Sequence, residues 1–276
     1  MNDGSRNQLE GKNSASVLVS LGFRVRRYWG ILGALFRQEE QSRRQAPMES
    51  FMNLMEPIIL IATLSFLFYF LGRKQISPLG GSPVLFYATG FFPMYFFIYI
   101  SKRMRGSIDG PGRRFPVEQR LDHIIVHIVL RIIDYSILGI ILFGGIYFLF
   151  SPNARPNDVA PIFLSCVTLV GLGFGWGIFI MLVSRISPIL RPFLHGVSRT
   201  LMLFSGVFFV PDFLSPGVRY VLSFNPLLHA IALFRTGFYP QYPTLIMDVT
   251  YLVYISVFVL FMGLVVERVT RRSEGR

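Results

Sequence analysis

Five prolines, at positions 211, 216, 226, 240 and 243, cut the stretch PDFLSPGVRYVLSFNPLLHAIALFRTGFYPQYPTLIMD into pieces too short to cross a bilayer. The pieces stay apolar and aromatic all the same, and only Asp212, Arg219, Arg235 and Asp248 carry formal charge. Water disfavours such a surface, and hydrocarbon does not accept a backbone whose polar groups are left unpaired. Broken backbone at membrane depth is tolerated only where protein or a cavity surrounds it. Residues 211–248 are therefore expected to dip into the outer mouth of a membrane pathway as a pair of short re-entrant helices.

Of the 276 residues, 52% are hydrophobic and only 15% are charged. That balance belongs to an integral membrane protein rather than a soluble domain. The expected fold is all-α, with six transmembrane helices near 57–72, 84–100, 124–150, 159–183, 193–210 and 249–266. His195 and Arg199 fall in the first turns of the fifth. The re-entrant pair lies between the fifth and sixth. No apolar run opens the chain, so a cleavable signal peptide is not expected. A single cysteine, Cys166, excludes an internal disulfide and reads as a small buried hydrophobe.

Basic residues set the orientation. With both termini cytoplasmic, the inner side holds eight Lys/Arg before the first span, six in the second-to-third loop, three in the fourth-to-fifth loop and four in the tail. The outer side holds five: Arg73, Lys74, Arg155, Arg219 and Arg235. This is the positive-inside bias of a multi-pass protein. It accounts for the net charge of +12 without nucleic acid as a partner.

Residues 1–16 are polar and expected to be disordered. In the region 17–56, Val17, Leu21, Val25, Trp29, Leu32 and Phe36 follow a helical stripe beside Arg24, Arg26 and Arg27. A basic amphipathic helix with a tryptophan suits the inner interface, as a plain anchor or as a helix lying across a cytoplasmic entrance. Glu39–Arg43 and Glu40–Arg44 have the spacing of helical ion pairs. Pro57 is expected to open the first span, where its missing N–H costs little.

The cytoplasmic loop 101–123 contains the turn Asp109-Gly110-Pro111-Gly112 and a short helix opening at Phe115-Pro116-Val117-Glu118. It reads either as a docking surface or as an ordinary positive-inside loop. No phosphate-cradling G-x-x-x-x-G-K-[ST] run is present, because the three lysines are followed by Asn13, Gln75 and Arg103. Nucleotide hydrolysis must then come from another polypeptide. His123 and His127 lie four apart beside Asp122, but no Glu intervenes and no further ligand is near, so they read as a polar helix end and no metal site is expected. No catalytic residue and no cofactor site are expected either.

Within the third span, Arg131 and Asp134 sit three apart, on neighbouring helix faces. Charge at that depth is expensive, so an intramembrane ion pair is expected, with contact to an anionic substrate or a neighbouring helix as the alternative. Gly171–Gly175 and Gly173–Gly177 are both G-x-x-x-G, a pattern that lets helices meet closely.

Several runs, taken in order from Leu35 to Arg268, resemble the ABC-2 permease family that exports capsular polysaccharide and O-antigen. They are Gln38-Glu39-Glu40-Gln41-Ser42-Arg43, Leu54-Met55-Glu56-Pro57-Ile58, Phe115-Pro116-Val117 followed by Leu121-Asp122 and Arg131, Ser205-Gly206-Val207-Phe208-Phe209, Asn225-Pro226-Leu227-Leu228-His229, and Phe234-Arg235. The chain departs from the family pattern at Gln38, where an arginine is usual, and at Ala232, where an acid is common.

The resemblance implies a permease domain over 57–266, a cytoplasmic tail over 267–276, and a place in a bacterial inner membrane. It also implies two copies forming a channel above two ATPase subunits, which bind ATP and magnesium. Periplasmic and outer-membrane export proteins are further implied partners, and a lipid-anchored polysaccharide is the implied substrate. Arg113, Arg114, Phe115, Val117 and Glu118 would couple to the ATPase. Asn225, Pro226, His229 and Arg235 would belong to an outer gate. Phe204, Phe208, Phe209, Tyr220 and Phe224 are candidates to line the channel, since sugar rings stack on aromatic faces without fixing one register. Each of these rings has a lipid-facing or core position as its alternative. Permeases for another amphiphile, such as a lipid, drug or teichoic acid, share these features, and a membrane acyl- or glycosyltransferase is a further alternative.

Overall fold

A computed structural model describes residues 33, 36, 37, 41, 47–70, 82–109, 120–150, 154–187 and 189–274. Among them are eight α-helices and no strand. They are α1 (Pro47–Phe70), α2 (Pro83–Asp109), α3 (Arg120–Leu149), α4 (Val159–Ile186), α5 (Leu190–Phe204), α6 (Pro216–Leu222), α7 (Pro226–Thr236) and α8 (Val249–Glu274). A 3-10 turn, Pro211–Phe213, precedes α6.

Helix α2 is the axis of the fold and touches α1, α3, α4 and α7. Of its most apolar stretch 83% is buried, against 22% in α3 and 17% in α8. The outer helices instead expose Ile132, Ile137, Ile140 and Ile141 on α3, and Tyr254, Val257, Phe258 and Phe261 on α8. Such faces suit hydrocarbon, where an apolar exterior costs nothing. Glycines set the spacing around α4. A Cβ at Gly173 would stand 3.0 Å from Ile100 on α2, and one at Gly171 would stand 3.3 Å from the Ser256 carbonyl on α8. At Gly175 it would collide with Val259. The alternating glycines thus let α4 sit close to both partners at once.

Four helices are long and apolar enough to cross a membrane: Pro83–Lys102, Ile128–Leu149, Val159–Met181 and Val249–Val266. Helices α6 and α7 pass the same test as a pair, but they meet at 101°. The other two expected spans differ from expectation. The first, expected at 57–72, belongs to a helix that begins at Pro47, so Pro57 lies inside it rather than opening it. The strongly apolar part of this helix is confined to Met55–Leu67. The fifth, expected at 193–210, runs instead from Leu190 to Phe204, only 15 residues. It stops there because Gly206 takes φ +71°, a left-handed conformation that no helix continues through.

Two further boundaries move. Helix α2 continues through Asp109, so the first part of the expected 101–123 loop is helical, and α8 continues through the expected tail to Glu274. In both, the charged ends extend the helix past its apolar part. The interface helix at 17–36 lies outside the described residues, except for the helical Gly33 and Phe36. Arg113, Arg114, Phe115, Val117 and Glu118 lie outside them, as do residues 1–16.

Candidate functional site

Every short element of the outer stretch begins at a proline: the 3-10 turn at Pro211, α6 at Pro216 and α7 at Pro226. Proline lacks the N–H that a first helical turn leaves unpaired, and its fixed φ suits that position. The same residues that forbid one long helix therefore start three short ones. Leu227 to Arg235 of α7 are all buried, so this arm sits within protein and not in lipid. Ser165 on α4 donates to the Ala230 carbonyl at 2.7 Å and ties α7 to the bundle.

Between α5 and the 3-10 turn, the chain from Ser205 to Val210 is not helical, and its carbonyls lack the partners a helix would provide. Arg235 supplies them. Its Nη1 donates to the Gly206 carbonyl at 2.7 Å and the Phe209 carbonyl at 3.3 Å; its Nη2 donates to Val207 at 2.8 Å and to Phe86 on α2 at 3.3 Å. The guanidinium also lies 4.0 Å from the centre of the Phe86 ring. The side chain is fully buried, and among the described residues no carboxylate pairs with it. A buried cation is held here by oriented dipoles and an aromatic face. Arg235 thus binds the backbone of the outer stretch and does not face a pathway.

Space for this clamp comes from Gly90 on α2. A Cβ there would stand 2.7 Å from Arg235 Nη2 and 2.9 Å from the Val207 carbonyl.

Asn225 and His229 knit the ends of the pair. The Asn225 Oδ1 accepts from the Leu227 N–H at 3.1 Å and caps α7. Its Nδ2 donates to the Phe204 carbonyl and the Ser205 hydroxyl, both at 3.1 Å, so the start of α7 is joined to the end of α5. His229 Nδ1 accepts from the Asp248 N–H at 3.0 Å, which leaves Nε2 to donate to the Ser223 carbonyl at 2.7 Å. One neutral tautomer thereby links the turn before α7 to the approach to α8. Tyr251 on α8 donates to the Phe224 carbonyl at 2.8 Å, and Asp212 accepts from the Leu245 and Ile246 N–H groups, each at 3.1 Å. Pro226, Asn225, His229 and Arg235 are therefore brought into one small structure as its fasteners.

The aromatic candidates separate into two sets. Phe208 is half-buried, edge-on to Phe91 at 5.3 Å between ring centres, and Phe209 is also half-buried. Phe204, Tyr220 and Phe224 are each more than half exposed, and Tyr220 meets Phe224 edge-on at 5.3 Å. Phe204 ends α5, whereas Tyr220 and Phe224 lie on or just after α6, where Val221 and Phe213 are exposed as well.

On α3, Arg131 Nη1 lies 3.1 Å from Asp134 Oδ2 and 2.5 Å from the Tyr99 hydroxyl on α2, and the guanidinium sits over the Tyr99 ring. The group bridges two helices rather than serving α3 alone. Toward α1, Glu56 accepts from Tyr95 at 3.4 Å and pairs with Lys102 at 4.0 Å. Gly90, Phe86 and Ser165 were not singled out from sequence, and Asp212 was noted only as a charge. Only the glycine and the acid carried a local signal, and their partners are far off in the chain.

A family model described as ABC-2 type transporter matches residues 31–239. The polysialic acid transport protein KpsM of Escherichia coli is 27% identical over 192 residues, covering 67% of this chain and 72% of that protein. The capsule polysaccharide export inner-membrane protein BexB of Haemophilus influenzae is 24% identical over 241 residues, or 85% and 89% of the two chains. The protein of the same description, CtrC, from Neisseria meningitidis serogroup A is 24% identical over 251 residues, or 89% and 92%.

Proposed function

Because the chain belongs to the ABC-2 type transporter family, we propose that it is the permease subunit of an exporter moving capsular or other lipid-anchored polysaccharide across a bacterial inner membrane. The observation that carries this reading is α7, a short helix buried from Leu227 to Arg235 at a 101° bend from its partner arm. Such an element is costly to build and suits a gate at the outer mouth of a conduit. The matched relatives, named for polysaccharide or polysialic acid transport over most of their length, support the substrate class.

In this reading two copies form the conduit, both termini face the cytoplasm, and ATP is hydrolysed by two separate subunits docked at the 101–123 loop through Arg113, Arg114, Phe115, Val117 and Glu118. The sequence supports the last point, since it carries no phosphate-binding loop of its own. Export proteins of the periplasm and outer membrane complete the route. The exposed rings Phe204, Tyr220 and Phe224 are the best placed of the aromatic candidates to meet a sugar chain.

The test is the location of the polymer in cells lacking this chain. Intracellular accumulation of lipid-anchored glycan, reversed by the wild-type gene, is the expected result. Unchanged surface polymer would overturn the assignment, and loss of a lipid or teichoic acid from the surface instead would reassign the substrate. Purification from the native membrane should recover an ATPase in equal amount.

A further inference from the structure

A groove of about 690 Å³ runs along α3, between that helix and α2, α4 and α7. Its wall extends from Ile132 to Tyr147 on α3, positions about 22 Å apart at the helical rise. That is more than half of the ~30 Å hydrocarbon core of a bilayer. Phe92, Phe143, Phe234 and Cys166 line it, and the flanking Ile132 and Ile140 are exposed on the lipid-facing surface of α3. The groove therefore opens sideways toward hydrocarbon rather than toward an aqueous pathway.

Two features distinguish it from a packing flaw. On α3, Gly139 and Gly144 both lie in the groove wall, and a Cβ at Gly144 would meet nothing within 4 Å. The wall is thus kept low where a branched side chain would fit. At the end of the groove where α3 gives way to α4, Arg155 stands exposed with its guanidinium 4.8 Å from the Tyr147 ring centre. Among the described residues no carboxylate pairs with Arg155, and the nearby Asp158 is engaged in capping α4 through the Ala160 N–H at 2.9 Å. A long apolar trough ending at an uncompensated cation is complementary to one molecule class: an amphiphile with a hydrocarbon chain and an anionic head.

We infer that this groove holds one acyl chain of an anionic bilayer phospholipid, with the phosphodiester headgroup at Arg155 and Tyr147. The connection 154–158 that carries Arg155 is hydrogen-bonded to the end of α7, since Asn157 and Asp158 both donate to the Gly237 carbonyl, at 2.7 and 3.1 Å. Phe234 and Phe238, which lie on and just after α7, form the inner wall. The lipid would therefore brace the buried arm of the re-entrant pair from the membrane side. The site does not depend on what the protein transports.

Native mass spectrometry of the full-length protein, titrated with phosphatidylglycerol and phosphatidylcholine, tests the inference. Wild type should retain one phosphatidylglycerol per chain, at least fivefold over phosphatidylcholine. Gly144→Leu, whose Cβ meets open space, puts a side chain into the trough and should abolish that retention. Gly145→Leu, equally free of contacts but outside the lining, should leave it intact. Arg155→Gln should remove the headgroup preference while some lipid still binds. Equal retention of the two lipids by wild type, or retention by Gly144→Leu that matches wild type, would overturn the site and identify the bound material as ordinary annular lipid. Loss in both glycine variants would likewise count against it, as general disruption of α3.

Discussion

The guanidinium of Arg235 occupies the space that a side chain on Gly90 would need: a Cβ at position 90 would stand 2.7 Å from its Nη2. One helix is hollowed so that another can send a cation through to the backbone beyond. Gly90→Ala should therefore be far from silent. Overpacking of this kind costs about 1–3 kcal/mol, and here it would dislodge a clamp as well. We expect a lower thermal midpoint for the purified protein and a marked loss of export, read by surface polymer staining.

Arg235→Lys separates charge from geometry. A lysine keeps the cation but has no planar fork with which to reach four carbonyls on two segments. If Arg235 acts as the structure arranges it, Lys should fail nearly as badly as Leu, and both should increase proteolysis between residues 205 and 215. Full activity of the lysine variant would mean that charge alone matters there.

Asn225 has two duties, and Asp can perform only one. Asn225→Asp keeps the acceptor that caps α7 but sets a carboxylate against the Phe204 carbonyl. Asn225→Ala loses both roles, the cap alone being worth about 0.5–2 kcal/mol. Thermal unfolding should place both below wild type, and aspartate should not restore stability.

For His229, replacement by Phe preserves a ring of similar shape and removes both hydrogen bonds. The Asp248 N–H and Ser223 carbonyl would lose their partner, at about 1–3 kcal/mol if neither finds water. The outer connection to α8 should loosen, so a cysteine placed at position 246 should label faster with an impermeant maleimide than in the otherwise wild-type chain.

Gly175→Ala tests the bundle itself. Its Cβ would collide with Val259, and α4 and α8 would have to separate. We expect poor accumulation in the membrane, whereas Gly144→Ala, with open space around it, should accumulate normally on an immunoblot.

Much of this was legible in the chain because prolines and charges act locally. Pro211, Pro216 and Pro226 were legible as breaks between short pieces, and the structure adds that each opens one, while Arg131 and Asp134 lie three apart on one helix, so their meeting needed no tertiary information. The end of α5 was harder. Residues 205–210 are as apolar as a helix in lipid, and only the backbone conformation of Gly206 shows that they are not one. Pro57 misled for a similar reason, because a proline at an apolar boundary marks a start or a bend equally well. The role of Arg235 could not be read at all. The resemblance gave it only a place in an outer gate, and the helix it reaches, at Phe86 and beside Gly90, lies about 150 residues away in sequence.

Arg235 recognises the chain between Gly206 and Phe209 only through main-chain oxygens. A lock that reads no side chain places few demands on what those positions display. A residue such as Phe209 could therefore be exchanged, and the mouth retuned for a different cargo, while the fastening behind it is inherited unchanged.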